Sequence, residues 1–203
     1  QTIADASGNN FEGRIVGKGA RFLRGRDGNA LNLINNCYVE VPKFDYHGST
    51  ITITGWVFSR RRRHYLPLLY WPSRDGRSDA GVILGKANDP TLRYVWNDMD
   101  IRTWDWQGGP VLPAGQWAFF AVVIGRDGAT IYSRPLSATE TAVSKNPIPH
   151  HSQTLSKLHL GYWDSLADPA PRIFNGMFDD IRIYKKALGP GHIEQLIEMG
   201  LEK

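Results

Sequence analysis

Asn175-Gly176-Met177-Phe178-Asp179-Asp180-Ile181-Arg182-Ile183-Tyr184-Lys185-Lys186-Ala187-Leu188 is the stretch whose reading decides the fold. Its middle alternates as a β-strand does. Strict alternation puts Asp179, Ile181 and Ile183 on one face and Phe178, Asp180, Arg182 and Tyr184 on the other. The apolar face is therefore headed by an acid. An ionised carboxylate pointing inward is costly unless it is paired, capped by N–H donors or bound to a metal.

Downstream of this strand, Pro190-Gly191-His192-Ile193-Glu194-Gln195-Leu196-Ile197-Glu198-Met199 carries a short apolar stripe of Ile193, Leu196 and Ile197 between Pro190 and Gly200, which predicts a terminal helix. Upstream the chain reads as short strands separated by turns. Ile51-Thr52-Ile53-Thr54-Gly55-Trp56-Val57 alternates cleanly, with Ile51, Ile53 and Val57 on one side. Trp117-Ala118-Phe119-Phe120-Ala121-Val122-Val123-Ile124 is apolar on both faces, which predicts a strand covered on both sides. Residues 133–156 are polar with scattered prolines and read as an irregular excursion. About a dozen short strands with turn signals and one terminal helix predict an all-β protein, a sandwich or jelly roll. No internal repeat or linker breaks the pattern, so residues 1–203 read as a single domain.

Hydrophobic residues make up 41% of the 203, enough for a sizeable core. No apolar run approaches the roughly 20 residues needed to span a bilayer. Cys37 is the single cysteine, which excludes an internal disulfide, a Cys-rich metal site and a CxxC redox pair; its place beside Tyr38-Val39-Glu40-Val41 suits a buried, inert thiol. The formal charge of +4 is local, concentrated in Arg60-Arg61-Arg62-Arg63-His64. That cluster suits sulfate, phosphate or carboxylate, or else a solvated loop. No recognition helix or zinc spacing accompanies it, so nucleic acid is not an expected partner.

The order of these pieces resembles the laminin-G-like, concanavalin-A-like jelly-roll domains of bacterial extracellular proteins. The resemblance is carried by Asp5-Ala6-Ser7-Gly8-Asn9, by Gly28-Asn29-Ala30-Leu31-Asn32-Leu33 with Tyr38-Val39-Glu40-Val41-Pro42, and by the strand through Trp56. It continues in Pro113-Ala114-Gly115-Gln116-Trp117 with the strand that follows, in Gly161, and in Phe174-Asn175-Gly176 leading to the closing helix. It implies two curved antiparallel sheets stacked face to face with a short C-terminal helix. It also implies a structural calcium ion joining the N-terminal loop to the last long strand, with Asp179 as side-chain ligand and Asp5, Asn9 and Asn10 completing the shell. The alternative for Asp179 is an arginine partner or a cap of backbone N–H groups.

The same fold houses glycoside hydrolases and polysaccharide lyases, so fold alone does not decide function. No Glu-x-Asp-x-x-Glu run is present, Asp98-Met99-Asp100 has no glutamate beside it, and the histidines show no HExxH spacing. These features disfavour an enzyme. Seven Trp and eight Tyr favour binding, because aromatic planes stack on the C–H faces of sugars while polar neighbours bond the hydroxyls. The candidates are Tyr70 with Trp71; Asn97 and Asp98 after Trp96; Trp104, Asp105 and Trp106; and Tyr162-Trp163-Asp164. Arg61 and Arg62 beside them point to acidic or sulfated glycans, since guanidinium forks suit those groups. The expectation is a non-catalytic, lectin-like module of a secreted, cell-surface or periplasmic protein, whose partners are a polysaccharide or glycan and other domains of a larger chain. The alternative is a protein–protein adhesion or structural appendage domain without glycan affinity.

Overall fold

The computed structural model describes residues 1–60, 65–72, 79–86, 88–97, 103, 108–164 and 171–202. In chain order its strands are β1 (Thr2–Ile3), β2 (Gly13–Val16), β3 (Arg21–Arg24), β4 (Asn29–Leu33), β5 (Tyr38–Val41), β6 (Tyr46–Gly48), β7 (Ile51–Ser59), β8 (Leu66–Trp71) and β9 (Asp79–Lys86). There follow β10 (Asp89–Asn97), β11 (Trp117–Gly125), β12 (Gly128–Pro135), β13 (Ala142–Asn146), β14 (Gln153–Leu155), β15 (Leu158–Leu160), β16 (Tyr162–Trp163), β17 (Arg172–Ile173), β18 (Gly176–Tyr184) and helix α1 (Pro190–Leu201). The polar excursion thus holds two short strands, β13 and β14, each paired to a neighbour that supplies the regularity its own sequence lacks.

Two seven-stranded antiparallel sheets carry the fold, in the orders β1-β2-β5-β15-β8-β9-β10 and β13-β12-β11-β7-β18-β4-β3. Ile51, Ile53 and Val57 of β7 and Phe120, Val122 and Ile124 of β11 meet Val39, Leu69, Trp71 and Val82 of the facing sheet in one buried cluster. This is the sandwich core that period-two alternation predicts. The other face of β11 is also covered. Phe119, Ala121 and Val123 form a second cluster with Trp56 and with Ile193 and Ile197 of α1. Helix and core claim opposite faces of one strand, which is why its sequence is apolar throughout.

The last long strand departs from strict alternation. The register between β18 and β7 shifts between Asp179, opposite Trp56, and Arg182, opposite Thr54, and Asp180 sits in the left-handed region at φ 48°. This is a β-bulge, and the extra residue reverses the phase of the strand. Ile181 and Ile183 do pack on the core. Asp179, however, stands opposite Trp56, on the helix side, so the shared face expected of these three residues does not exist.

Asp179 is nonetheless buried. Its Oδ2 accepts the backbone N–H groups of Arg26 (2.5 Å) and Asp27 (2.9 Å) at the tip of the β3–β4 hairpin. That tip is closed by Gly25 N–H donating to Gly28 O, with Gly28 at φ 70°. Held there, Arg26 lays its guanidinium 5.3 Å from the centroid of Trp56 and donates from Nη2 to the carbonyls of Gly200 (2.7 Å) and Leu201 (3.5 Å). A cation thereby caps carbonyls that the helix end leaves unpaired. Asp180 turns its carboxylate to Arg182 at 2.7 Å, an ordinary surface pair.

Candidate functional site

The first sheet turns one row of side chains away from the core. Register places Arg14 opposite Glu40, Glu40 opposite His159, His159 opposite Tyr70, Tyr70 opposite Gly81 and Gly81 opposite Val95. Directly opposed residues share a face. The intervening Val39, Leu158, Leu69 and Val82 point into the sandwich, so this row lies on the outer face.

Beyond His159 the chain doubles back over that face. Gly161, at φ 80°, makes the turn, and its N–H donates to Leu68 O while its carbonyl accepts from Phe174 N–H. The β16–β17 ribbon then lies across the sheet. Trp163 packs on Tyr70 with ring centroids 5.2 Å apart and joins Ile83 and Val95 in a small apolar cluster. Arg172 sits between two rings, 4.7 Å from Tyr65 and 4.5 Å from Trp163. Tyr162 stacks on Tyr38 at 4.2 Å and 19°. Both of those tyrosines are half-buried, leaving an aromatic ledge open to solvent.

Beside the ledge lies a charge cluster. Glu40 is 5% exposed and uses both carboxylate oxygens: Oε1 pairs with Arg14 and Oε2 with Lys157, each at 2.5 Å. Burial works to raise its pKa, but the Lys157 and Arg14 hydrogen bonds prevail and hold it below the usual carboxylate range. Arg14 and Lys157 keep 65% and 42% of their side-chain surface, so two cations rim one neutralised acid. His159 is 6% exposed, edge-on to Tyr38 (5.4 Å) and Tyr162 (5.3 Å), with Nε2 3.5 Å from Glu40 Oε2. Among the described residues neither ring nitrogen has a hydrogen bond of ordinary geometry, and both are shielded from solvent. Burial, with help from the Lys157 charge, pushes its pKa down against the pull of Glu40. Burial and then the charge of Asp164 push the Tyr162 hydroxyl up.

The residues singled out from sequence fall in several places. Tyr70, Trp71 and Asn97 are buried, contrary to their expected role as exposed binders. Trp71 faces the core against Phe44 (5.4 Å), because β8 lies inside the sheet and its alternate residues face inward. Tyr70 lies beneath Trp163, and its hydroxyl donates to Asp79 at 2.9 Å. Asn97 spends its amide on Asp79 and on the Thr103 N–H. Arg61, Arg62, Asp98, Trp104, Asp105 and Trp106 lie outside the described residues. Among the described candidates, the Tyr162-Trp163-Asp164 motif reaches the ledge. Its partners Tyr38, Glu40, Lys157 and His159 were not singled out, although Tyr38-Val39-Glu40-Val41 already alternates polar with apolar.

The four residues expected to share a calcium ion are not brought together. Asp5 lies in the loop after β1, at the edge of the first sheet. Its carboxylate accepts Ser7 N–H (2.9 Å), the Ser7 hydroxyl (2.8 Å) and Phe11 N–H (3.0 Å). These bonds lower its pKa, with the Ser7 amide the leading cause. Asn9 Nδ2 donates to Ser7 Oγ at 2.7 Å, and Asn10, at φ 61°, is exposed. Asp179 belongs to the other sheet and faces the helix. Among the described residues no three His, Cys, Asp or Glu side chains converge as a metal site would require. In this arrangement the four residues do not present one shared donor set, and two backbone N–H groups stabilise the Asp179 carboxylate.

Two stacked seven-stranded antiparallel sheets with a helix on one outer face define a jelly-roll sandwich. The sequence matches the concanavalin A-like lectin/glucanases superfamily, in its laminin-G-like branch, over residues 34–194, and the chain belongs to that family. Similar solved structures include the fourth domain of an extracellular GH43 arabinanase from Geobacillus stearothermophilus, in complex with arabinotriose. It shares 18% identity and a TM-score of 0.71, with 95% of this chain and 91% of that one covered. A Trypanosoma rangeli sialidase in complex with the inhibitor DANA shares 13% identity and a TM-score of 0.58, over 91% of this chain and 29% of that one. A structure concerned with the dependence of botulinum neurotoxin type C on two ganglioside molecules shares 14% identity and a TM-score of 0.65, over 97% of this chain and 48% of that one. At these identities the likeness is one of fold. No curated protein matches the sequence.

Proposed function

We propose that the chain is a non-catalytic glycan-binding module of an extracellular protein, and that it takes its ligand on the Tyr38–Tyr162 ledge. The observation that carries this is the ledge itself: two stacked, half-exposed rings beside Arg14, Lys157 and the hydroxyl of Tyr162. Rings offer a plane to sugar C–H groups, and the cations and hydroxyl serve ring substituents. His159 lies buried behind the two rings, edge-on to both and beside Glu40, and so holds the ledge in place without meeting ligand itself. Arg14 and Lys157 are the exposed cations of the rim, set beside the acids Glu40 and Asp164, and they are the groups that would meet acidic or sulfated substituents.

The separation of Glu40 and Asp79 and the pairing of Glu40 support a binding role. Glycosidase pairs stand about 5–5.5 or 6.5–9.5 Å apart. Glu40 and Asp79 are three strands apart, on β5 and β9, hence on the order of 14 Å. Glu40 has both oxygens occupied by cations, which leaves none bare for nucleophilic attack. The expected result is retardation in affinity gels containing sulfated or uronate polysaccharides, weakened about tenfold by Tyr162→Ala or Lys157→Ala. Unchanged migration of both variants on every retarding polysaccharide would remove the ledge from the site.

One observation favours a second reading, as a protein-contact domain. Edge strand β3 exposes Phe22 (46%) and Leu23 (41%) between two arginines. Sedimentation showing concentration-dependent association that Phe22→Ser abolishes, with no glycan retardation, would put that reading ahead.

A further inference from the structure

A concave surface is lined by residues other than those of the ledge. It has a volume of 400 Å³ and is lined by Asp45, Tyr46, His47, Thr50, Thr154 and Lys185 among others. That volume is at the small end of the roughly 300–1,000 Å³ of small-molecule sites.

Its walls are tied down. β6 and β14 form a two-stranded ribbon in which His47 stands opposite Thr154, and His47 Nδ1 and Thr154 Oγ1 are 2.8 Å apart. Opposite Leu155, Tyr46 is buried in the main core. Its hydroxyl donates to Thr50 O (2.6 Å) and accepts Thr50 N–H (3.0 Å), closing the 46–50 turn on itself. Gly48 permits this, since a Cβ there would lie 2.7 Å from that hydroxyl. Lys185, at the end of β18, crosses to donate to the backbone carbonyl of Asp45 (2.9 Å), with its ammonium 5.1 Å from the centroid of Phe11.

The groove therefore presents a tethered ammonium, an imidazole, a hydroxyl and the exposed side chain of Asp45 over a floor of Tyr46 and Leu155. An ammonium with three donors spends one on Asp45 O and turns toward the Phe11 ring, which leaves an N–H for a ligand. The Asp45 carboxylate repels an anion and accepts from hydroxyls. A set of one donor cation, one acceptor anion and neutral hydrogen-bonding groups, held without a ligand, suits an uncharged polyhydroxylated ring.

We infer that the groove between the β6–β14 ribbon and Lys185 is a second glycan subsite, selective for a neutral sugar unit. It rests on the reading of the chain as a glycan binder but not on the ledge. The test is amide chemical-shift mapping of the intact chain with two probes, arabinotriose as a neutral oligosaccharide and a chondroitin sulfate tetrasaccharide as an acidic one. Arabinotriose is expected to shift His47, Gly48, Thr154 and Lys185. His47→Ala/Thr154→Ala, an exposed pair, should weaken that binding at least tenfold, while Tyr162→Ala should leave it unchanged. Shifts from arabinotriose confined to Tyr38 and Tyr162, or their loss in Tyr162→Ala, would overturn the groove and leave the ledge standing. Groove shifts with no response at the ledge to either probe would overturn the ledge alone. No shift anywhere with either probe or with xylotriose and maltotriose would overturn both.

Discussion

Replacing Asp179 by Ala removes the group on which the β3–β4 hairpin and the helix end both depend. Oδ2 of Asp179 takes two backbone N–H groups, and hydrogen bonds to a charged acceptor contribute about 1.5–3 kcal/mol each. Asp27 is exposed, so water replaces part of its bond, whereas Arg26 is half-buried and loses more. The expected cost is about 2–4 kcal/mol. In a chain of this size 1 kcal/mol moves Tm by about 2–4 °C, so Tm should fall on the order of 5–15 °C. Arg26→Ala should cost about 1–2 kcal/mol through the lost helix cap and the lost contact with Trp56. The double variant should cost less than the sum, because the carboxylate acts partly by placing Arg26. The assay is differential scanning fluorimetry of the four proteins, each in calcium and in EDTA. Protein donors stabilise this carboxylate, so any effect of chelation on Tm is expected to be the same with and without Asp179. A wild type whose Tm falls on chelation, together with an Asp179→Ala variant that is indifferent to it, would refute the reasoning and restore the bridging ion.

Three further outcomes are expected. Folded His159 is held below its ordinary pKa by burial and by Lys157, while the unfolded side chain titrates near ~6.5, so on acidification the unfolded state takes up the proton first. Stability should therefore decline as pH falls from about 6.5, and His159→Gln should flatten that part of a Tm–pH curve. A wild-type curve already flat between pH 7 and 5 would contradict it. Tyr94 donates to His150 Nε2 (2.8 Å) and accepts from Asn146 Nδ2 (2.7 Å), while His150 Nδ1 donates to Gly125 O (3.0 Å), all in the interior. Tyr94→Phe should cost about 1–3 kcal/mol in urea unfolding with an unchanged m-value, because it takes a hydrogen-bond partner from two buried polar groups. Asp180→Val should destabilise clearly more than Asp180→Gly, since only glycine matches the left-handed bulge without strain; equal losses would argue against the bulge.

Legibility in the sequence followed how locally each feature is determined. β7 could be placed from residue alternation and β11 from its unbroken apolar run, because each stands inside its sheet with both neighbours paired, and burial there enforces the pattern. Trp71 and Tyr70 misled because their surroundings come from elsewhere in the chain. One lies against Phe44, and the other under a ribbon that returns from residues 161–173. The ledge is non-local for the same reason, since Tyr38 and Tyr162 meet only after Gly161 reverses the chain.

The acid at Asp179 shows how one backbone angle can redirect a chemical reading. With regular pleating it would stand on the oily face above Ile181 and require a counter-ion from outside the strand. Asp180 in the left-handed region inserts one residue, and the same carboxylate turns to the other side. There it meets a hairpin tip with unpaired N–H groups and a helix end with unpaired carbonyls. The carboxylate binds the first directly and serves the second through the Arg26 guanidinium. Both needs arise because secondary structure leaves polar groups unpaired at its ends. The residue that looked like half of a metal site thereby becomes the joint between the second sheet and the helix that covers it, while the surfaces proposed to meet ligand lie elsewhere on the sandwich.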